Sequence, residues 1–199
     1  HRIARRQRQM CIRDSFEKYV TSELKSFIEE NNCWINSMRN KNLIYIHSYK
    51  EYFFDRARYK SFFDKTFFRK ELEELNFEIC DQKYDGICDH LILNNMEKII
   101  KDEKNNFVIF LTVNNHIPVE PVYDIPYIDC KENFPLNLSE QFCKIYNNQM
   151  LFNESISKFI SRLNKNDLLV LFSDTPPMFA TKRRIHFEDL IDVYFISKK

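Results

Sequence analysis

Four short runs limit what this chain can fold into. "NLIYIHS" (Asn42–Ser48), "FVIFLTV" (Phe107–Val113), "DLLVLFS" (Asp167–Ser173) and "IDVYFIS" (Ile191–Ser197) are apolar at successive positions, not at every second one. A strand with one wet face alternates, whereas a continuously apolar strand is buried on both faces. Stretches of helical period lie between these runs, and strands alternating with helices give a parallel sheet covered on both sides. The expected fold is therefore α/β, a three-layer α/β/α domain with a mostly parallel sheet. Ligands of such sheets bind beyond the carboxyl ends of the strands. His47, His116 and Asp174 stand at or just after such ends.

The connecting segments support this layout. Residues 16–32 read as a helix with Phe16, Tyr19, Val20, Leu24 and Phe27 on one face, ended by Asn31-Asn32. "FRKELEELNF" and "DGICDHLILNNMEKIIKDEK" read as two more helices, and the aromatic-rich "YKEYFFDRARYKSFFDKTFF" as partly helical. The best helical pattern covers 138–164, where Phe142, Ile145, Tyr146, Phe152, Ile156, Phe159, Ile160 and Leu163 recur at helical spacing. From "NNHIPVEP" to about Pro135 the chain holds four prolines and little periodicity. An irregular loop of that length is uncommon unless it is functional.

Composition removes several function classes. A net charge of +1 gives no electrostatic case for nucleic acid, so none is expected as a partner. No apolar run reaches the roughly 18 residues of a membrane span. Gly86 is the single glycine, which excludes a Gly-rich phosphate cradle. Residues 1–15 hold five of the twelve arginines and no periodic apolar face. They read as a translated sequencing-adaptor scar or a disordered basic arm, outside the fold. If they are a scar, the native protein begins further upstream, and residues 16–199 are the C-terminal part of one domain. The cysteines leave two readings open: "CDQKYDGIC" closes a small disulfide loop in an oxidising compartment, or the thiols are buried and free.

Three residues are the main candidates for chemistry. Asp174 ends a buried strand ahead of Thr-Pro-Pro, as a hard oxygen ligand for a divalent metal or as a cap on the loop. His116 donates to an anionic oxygen or bonds to loop backbone. Arg56, in "FFDRARY", forks onto a phosphate or pairs with Asp55 or Glu51. His186 and His47 are weaker candidates. Phe53, Phe54, Phe62 and Phe63 read as core residues, not as stacking platforms.

Taken in order, these pieces resemble the C-terminal part of a sulfatase-like domain of the alkaline phosphatase superfamily. The match is nearer to enzymes that transfer phosphoglycerol or phosphoethanolamine to envelope polymers. "LIYIHSYKEYFFDRARYKSFFD" is similar to that family's strand, His and aromatic-Asn-Arg segment. "NNFVIFLTVNNHIPVEP" is similar to its strand ending in Ser/Thr-His-x-Pro. "YNNQMLFNESISKFISRLNKNDLLVLFSDTPPMF" is similar to its long helix, strand and Gly-Asp-His loop. The resemblance covers roughly residues 33–197. It implies an alkaline-phosphatase-like fold and transfer or hydrolysis of a phosphoryl or sulfuryl ester, modifying a cell-envelope or capsular polysaccharide.

Carried over, Asp174 is the metal ligand, and Arg56, His116 and, more loosely, His186 contact the substrate. The implied cofactor is a divalent ion: zinc, manganese or magnesium. The implied substrate is a phospholipid or polysaccharide. The resemblance also implies an extracytoplasmic or periplasmic location, with a membrane anchor upstream. The nucleophile, a Thr, Ser or formylglycine, is likewise expected upstream, so no catalytic residue is assigned here and the fragment is expected to be inactive. The family has Asp-His where this chain has Asp174-Thr175. A neutral hydroxyl is a poor substitute for an imidazole ligand. The alternatives are a non-catalytic member of the same fold that binds an anionic glycan, and an unrelated α/β protein whose Asp caps a loop.

Overall fold

A computed structural model of the chain describes residues 38, 40–81, 85–100, 105–116, 119–124, 126–129, 140–172 and 193–197. They fall into two compact units. The larger, Lys41–Ser161, contains a three-stranded parallel sheet in the order β2-β1-β5. Strand β1 is Asn42–His47, β2 is Lys65–Phe67 and β5 is Asn106–Leu111. Between them lie a 3-10 helix (Phe53–Phe62), α1 (Arg69–Glu74), a hairpin of β3 (Ile79–Asp81) and β4 (Gly86–Ile87), and α2 (Asp89–Asn94). The long helix α3 (Glu140–Arg162) follows the Pro-rich segment.

The expected buried strand at 42–48 is the centre of this sheet. β1 pairs in parallel with β5 from Asn42 opposite Asn106 to His47 opposite Leu111, so the two strands end level. Its alternation sorts side chains by kind. Ile44 and Ile46 join an aliphatic core with Leu72, Ile87, Ile92 and Met96. Tyr45 and His47 point the other way, among Tyr49, Phe63 and Phe68. Strand β2 lies inside the stretch expected to be helix and loop; it is three residues long, too short for periodicity to reveal.

The helix expected from Asp85 to Lys104 is much shorter. Gly86–Ile87 pairs with β3 instead, and Cys80 is disulfide-bonded to Cys88 across that hairpin. The helix then stops at Asn94, and Met96–Lys98 is a separate 3-10 turn. The disulfide selects the oxidised-loop reading of "CDQKYDGIC"; Cys143 is disulfide-bonded as well.

With a single glycine, the chain makes its left-handed turns by other means. Among the described residues Asn76 (φ 59°), Asp85 (φ 53°) and Asn105 (φ 67°) take the positive-φ positions, as the residue types that tolerate them best after glycine. Gly86 serves a different need. A Cβ there would lie 1.9 Å from Cε1 of the Tyr49 ring, and Tyr49 is 3% exposed. The absent side chain lets that ring rest on the β4 backbone.

Helix α3 buries amides as well as apolar groups. Asn147 is fully buried; its Oδ1 accepts from the Ile128 N–H at 2.9 Å and its Nδ2 donates to the Ile128 carbonyl at 3.0 Å. Asn148 Oδ1 accepts from Val122 N–H, and its Nδ2 donates to the carbonyls of Asn114 and Glu120. Gln141 makes the same two-way pairing with Val119. The irregular segment thus finds on α3 the backbone partners that a strand would find in a sheet. The expected apolar stripe is only half-buried: Phe152, Ile156 and Phe159 flank the core, while Tyr146 is exposed.

In the other unit, β6 (Leu168–Phe172) and β7 (Val193–Ser197) form an antiparallel pair, Leu168 opposite Ser197. Both runs were expected as strands; their direction differs from the parallel expectation because apolar periodicity carries no sign of direction. The helix expected at 16–32 lies outside the described residues.

Gly86→Ala is expected to destabilise the fold by about 1–3 kcal/mol, because the methyl group must displace a buried ring. Denaturant titration checks this; an unchanged midpoint would contradict the account of Gly86.

Candidate anion-binding site

The level ends of β1 and β5 set the site. His47 is the last residue of β1 and is 1% exposed. Its ring sits among four aromatic neighbours: Tyr45 at 6.4 Å, Tyr49 at 6.0 Å, Phe68 at 6.1 Å and Phe53, stacked, at 6.1 Å between centroids. Neither imidazole nitrogen meets a protein partner at hydrogen-bonding geometry, although the Leu111 backbone lies close enough to favour protonation slightly. A buried polar group of this kind calls for an explanation.

Phe53 joins the two strand ends. It opens the 3-10 helix after β1, and His116 also meets its ring, edge-on, at 6.1 Å between centroids. His116 itself lies in a tight turn beyond β5, its N–H bonded to the Val113 carbonyl at 2.8 Å, and its side chain is exposed. Arg56 is three residues after Phe53. In a 3-10 helix positions i and i+3 eclipse, which sets Arg56 over Phe53 on the same face. Its charge is felt at His47. Glu51, one expected partner for Arg56, is ion-paired with Lys60.

The structure therefore places two of the four expected site residues, Arg56 and His116, around Phe53. Asp174, Thr175 and His186 lie outside the described residues. Among the described residues no group of three or more His, Cys, Asp or Glu side chains is arranged to hold a metal ion. Among the described residues no helix is long and apolar enough to cross a membrane.

Two residues gain weight that sequence reasoning did not give them. His47 was a weak candidate, and its position at a strand end was the one available signal. Phe53 reads as core in the sequence, yet its ring contacts both His47 and His116. Behind the His116 turn lies a polar cavity of about 30 Å³, lined by Asp89, His90, Asn114, Asn115, Asn148 and Gln149 among others. That volume suits one or two waters, not a substrate.

Burial, then the Arg56 charge, lower the His47 pKa from 6.5 to about 3. His47 is neutral at physiological pH. Since the unfolded state takes up the proton first, folding stability falls as pH drops from about 6.5 towards 3, by at most about 1.4 kcal/mol per pH unit from this group. NMR of the His47 ring should show no titration between pH 8 and 5; a midpoint near 6.5 would contradict this.

Comparison with known proteins bears on the fold. The sulfatase family matches residues 15–191. The fold is shared with the lipoteichoic acid synthase LtaP from Listeria monocytogenes, with a TM-score of 0.54 and 18% identity. That match covers 74% of this chain and 39% of the Listeria chain. No curated protein matches the chain. An alkaline-phosphatase-like α/β fold, the parallel sheet and a family match over most of the length lead to one assignment: the chain belongs to the sulfatase family.

Proposed function

We propose that this chain supplies the anion-holding part of an enzyme that transfers or hydrolyses a phosphoryl or sulfuryl ester on a cell-envelope polymer. The observation that carries the reading is His47. It is buried and neutral, neither nitrogen has a side-chain partner, it feels the Arg56 charge, and it shares the Phe53 ring with His116. A phosphate or sulfate ester satisfies what these groups offer. The planar Arg56 guanidinium can hold two equatorial oxygens at once. A neutral His47 can donate one hydrogen bond without adding a second buried charge. His116, at the exposed edge, can reach an oxygen from the other side. Donors brought together at one edge of the sheet stabilise charge that spreads over the transferred group.

The nucleophile is no part of this assignment. Asp174 as a ligand for a divalent metal, and His186 as a further substrate contact, belong to the same proposal. They rest on the family resemblance. The likeness to a lipoteichoic acid synthase supports a phospholipid or glycopolymer substrate. The Cys80–Cys88 disulfide supports an extracytoplasmic location, because disulfides persist in oxidising compartments. The second reading, a non-catalytic relative that binds an anionic glycan, is favoured by Thr175 in place of an imidazole ligand.

Calorimetry with inorganic phosphate tests the shared core of both readings. The wild-type chain should bind, and Arg56→Ala should weaken binding by at least about tenfold, as expected for loss of a charge-assisted contact. Equal affinity in the two proteins would remove Arg56 from the site.

A further inference from the structure

We propose that Asp89 is a positioning residue for this site, tying together the two strand ends that carry His47, Arg56 and His116. The inference rests on the anion-site reading. Asp89 is 4% exposed at the start of α2. Its Oδ2 accepts from the N–H groups of Val113 and Asn114, both at 2.8 Å. Its Oδ1 accepts from Ser48 Oγ at 3.2 Å, and its own N–H donates to Asn114 Oδ1 at 2.6 Å. Ser48 follows His47 directly, and Val113 holds the His116 N–H through its carbonyl at 2.8 Å. One carboxylate thus reaches the exit of β1 and the exit of β5.

Asp89 is itself fixed. The preceding Cys88 is disulfide-bonded to Cys80, and the Ile87 N–H donates to the Ser48 carbonyl at 3.2 Å. Three donors converge on its carboxylate, so the negative charge is used up in holding backbone and a hydroxyl. Bonds to a buried carboxylate are stronger than neutral ones and tolerate little displacement. Phe53 and His116 sit on different chain segments, and the path from one to the other through Ser48, Asp89 and Val113 is short. Moving either strand exit separates the rings that flank the anion.

The test uses the full chain with inorganic phosphate, at a temperature where circular dichroism shows each variant folded. Asp89→Asn keeps the size but sets an NH2 group among donors. It should weaken phosphate binding by about tenfold or more and remove the ring-to-ring NOE between Phe53 and His116. Asn147→Ala removes a different buried clamp, on Ile128, and should leave affinity and NOE unchanged. Should Asp89→Asn fail to fold, Ser48→Ala removes only the β1 arm. A drop of about threefold then supports the proposal, and unchanged affinity overturns it. Wild-type affinity in folded Asp89→Asn overturns the positioning role alone, as does an equal loss in Asn147→Ala. Wild-type protein that binds no phosphate overturns the anion-site reading and the positioning role with it.

Discussion

Parallel pairing of β1 with β5 is the constraint on which the rest depends. Because His47 stands opposite Leu111, both strands release the chain at the same level and on the same edge. A parallel ladder forces the intervening chain to cross back over the sheet. That crossover brings α1, the hairpin and α2 against the β1 face that carries Ile44 and Ile46. The other face is left to aromatic rings and one imidazole. The proposed site lies where those two consequences meet: strand exits at one edge, and aromatic rings beside them.

The region around the exits is held by side chains doing the work of backbone. Asp89 satisfies the N–H groups of Val113 and Asn114, and amides on α3 satisfy backbone groups of Val119, Glu120, Val122 and Ile128. A chain with one glycine cannot bring loop backbone close to loop backbone freely. Asparagine, glutamine and aspartate reach across instead, and Asn or Asp fills the positive-φ positions. The links of Asn147 to Ile128 and of Gln141 to Val119 run both ways, so losing one side chain leaves two backbone groups unsatisfied.

Much of the frame was legible in the residues. The middles of Asn42–Ser48 and Phe107–Val113 are apolar at successive positions, and the two runs pair as parallel neighbours, β1 buried as expected and β5 only half-buried. Arg56 and His116 could be singled out because their flanking segments resemble a known family. What stayed hidden depends on contacts between distant segments. His47 at the end of an apolar run looks like any core histidine; its environment comes from Tyr49, Phe53 and Phe68. Asp89 in "CDHLIL" looks like an ordinary acid in a first helical turn, since its partners lie 24 and 25 residues further on. Asn147 and Asn148 interrupt an apolar pattern, and nothing local marks them as the buried side of the helix. The β2 strand is too short to announce itself.

The most direct measurement is a crystal structure of the chain with phosphate or sulfate bound. The account places the anion against Phe53, within hydrogen-bonding reach of Arg56 and His116, with a nitrogen of His47 turned towards it. An anion bound elsewhere, with His47 still sealed among its aromatic neighbours, would contradict it.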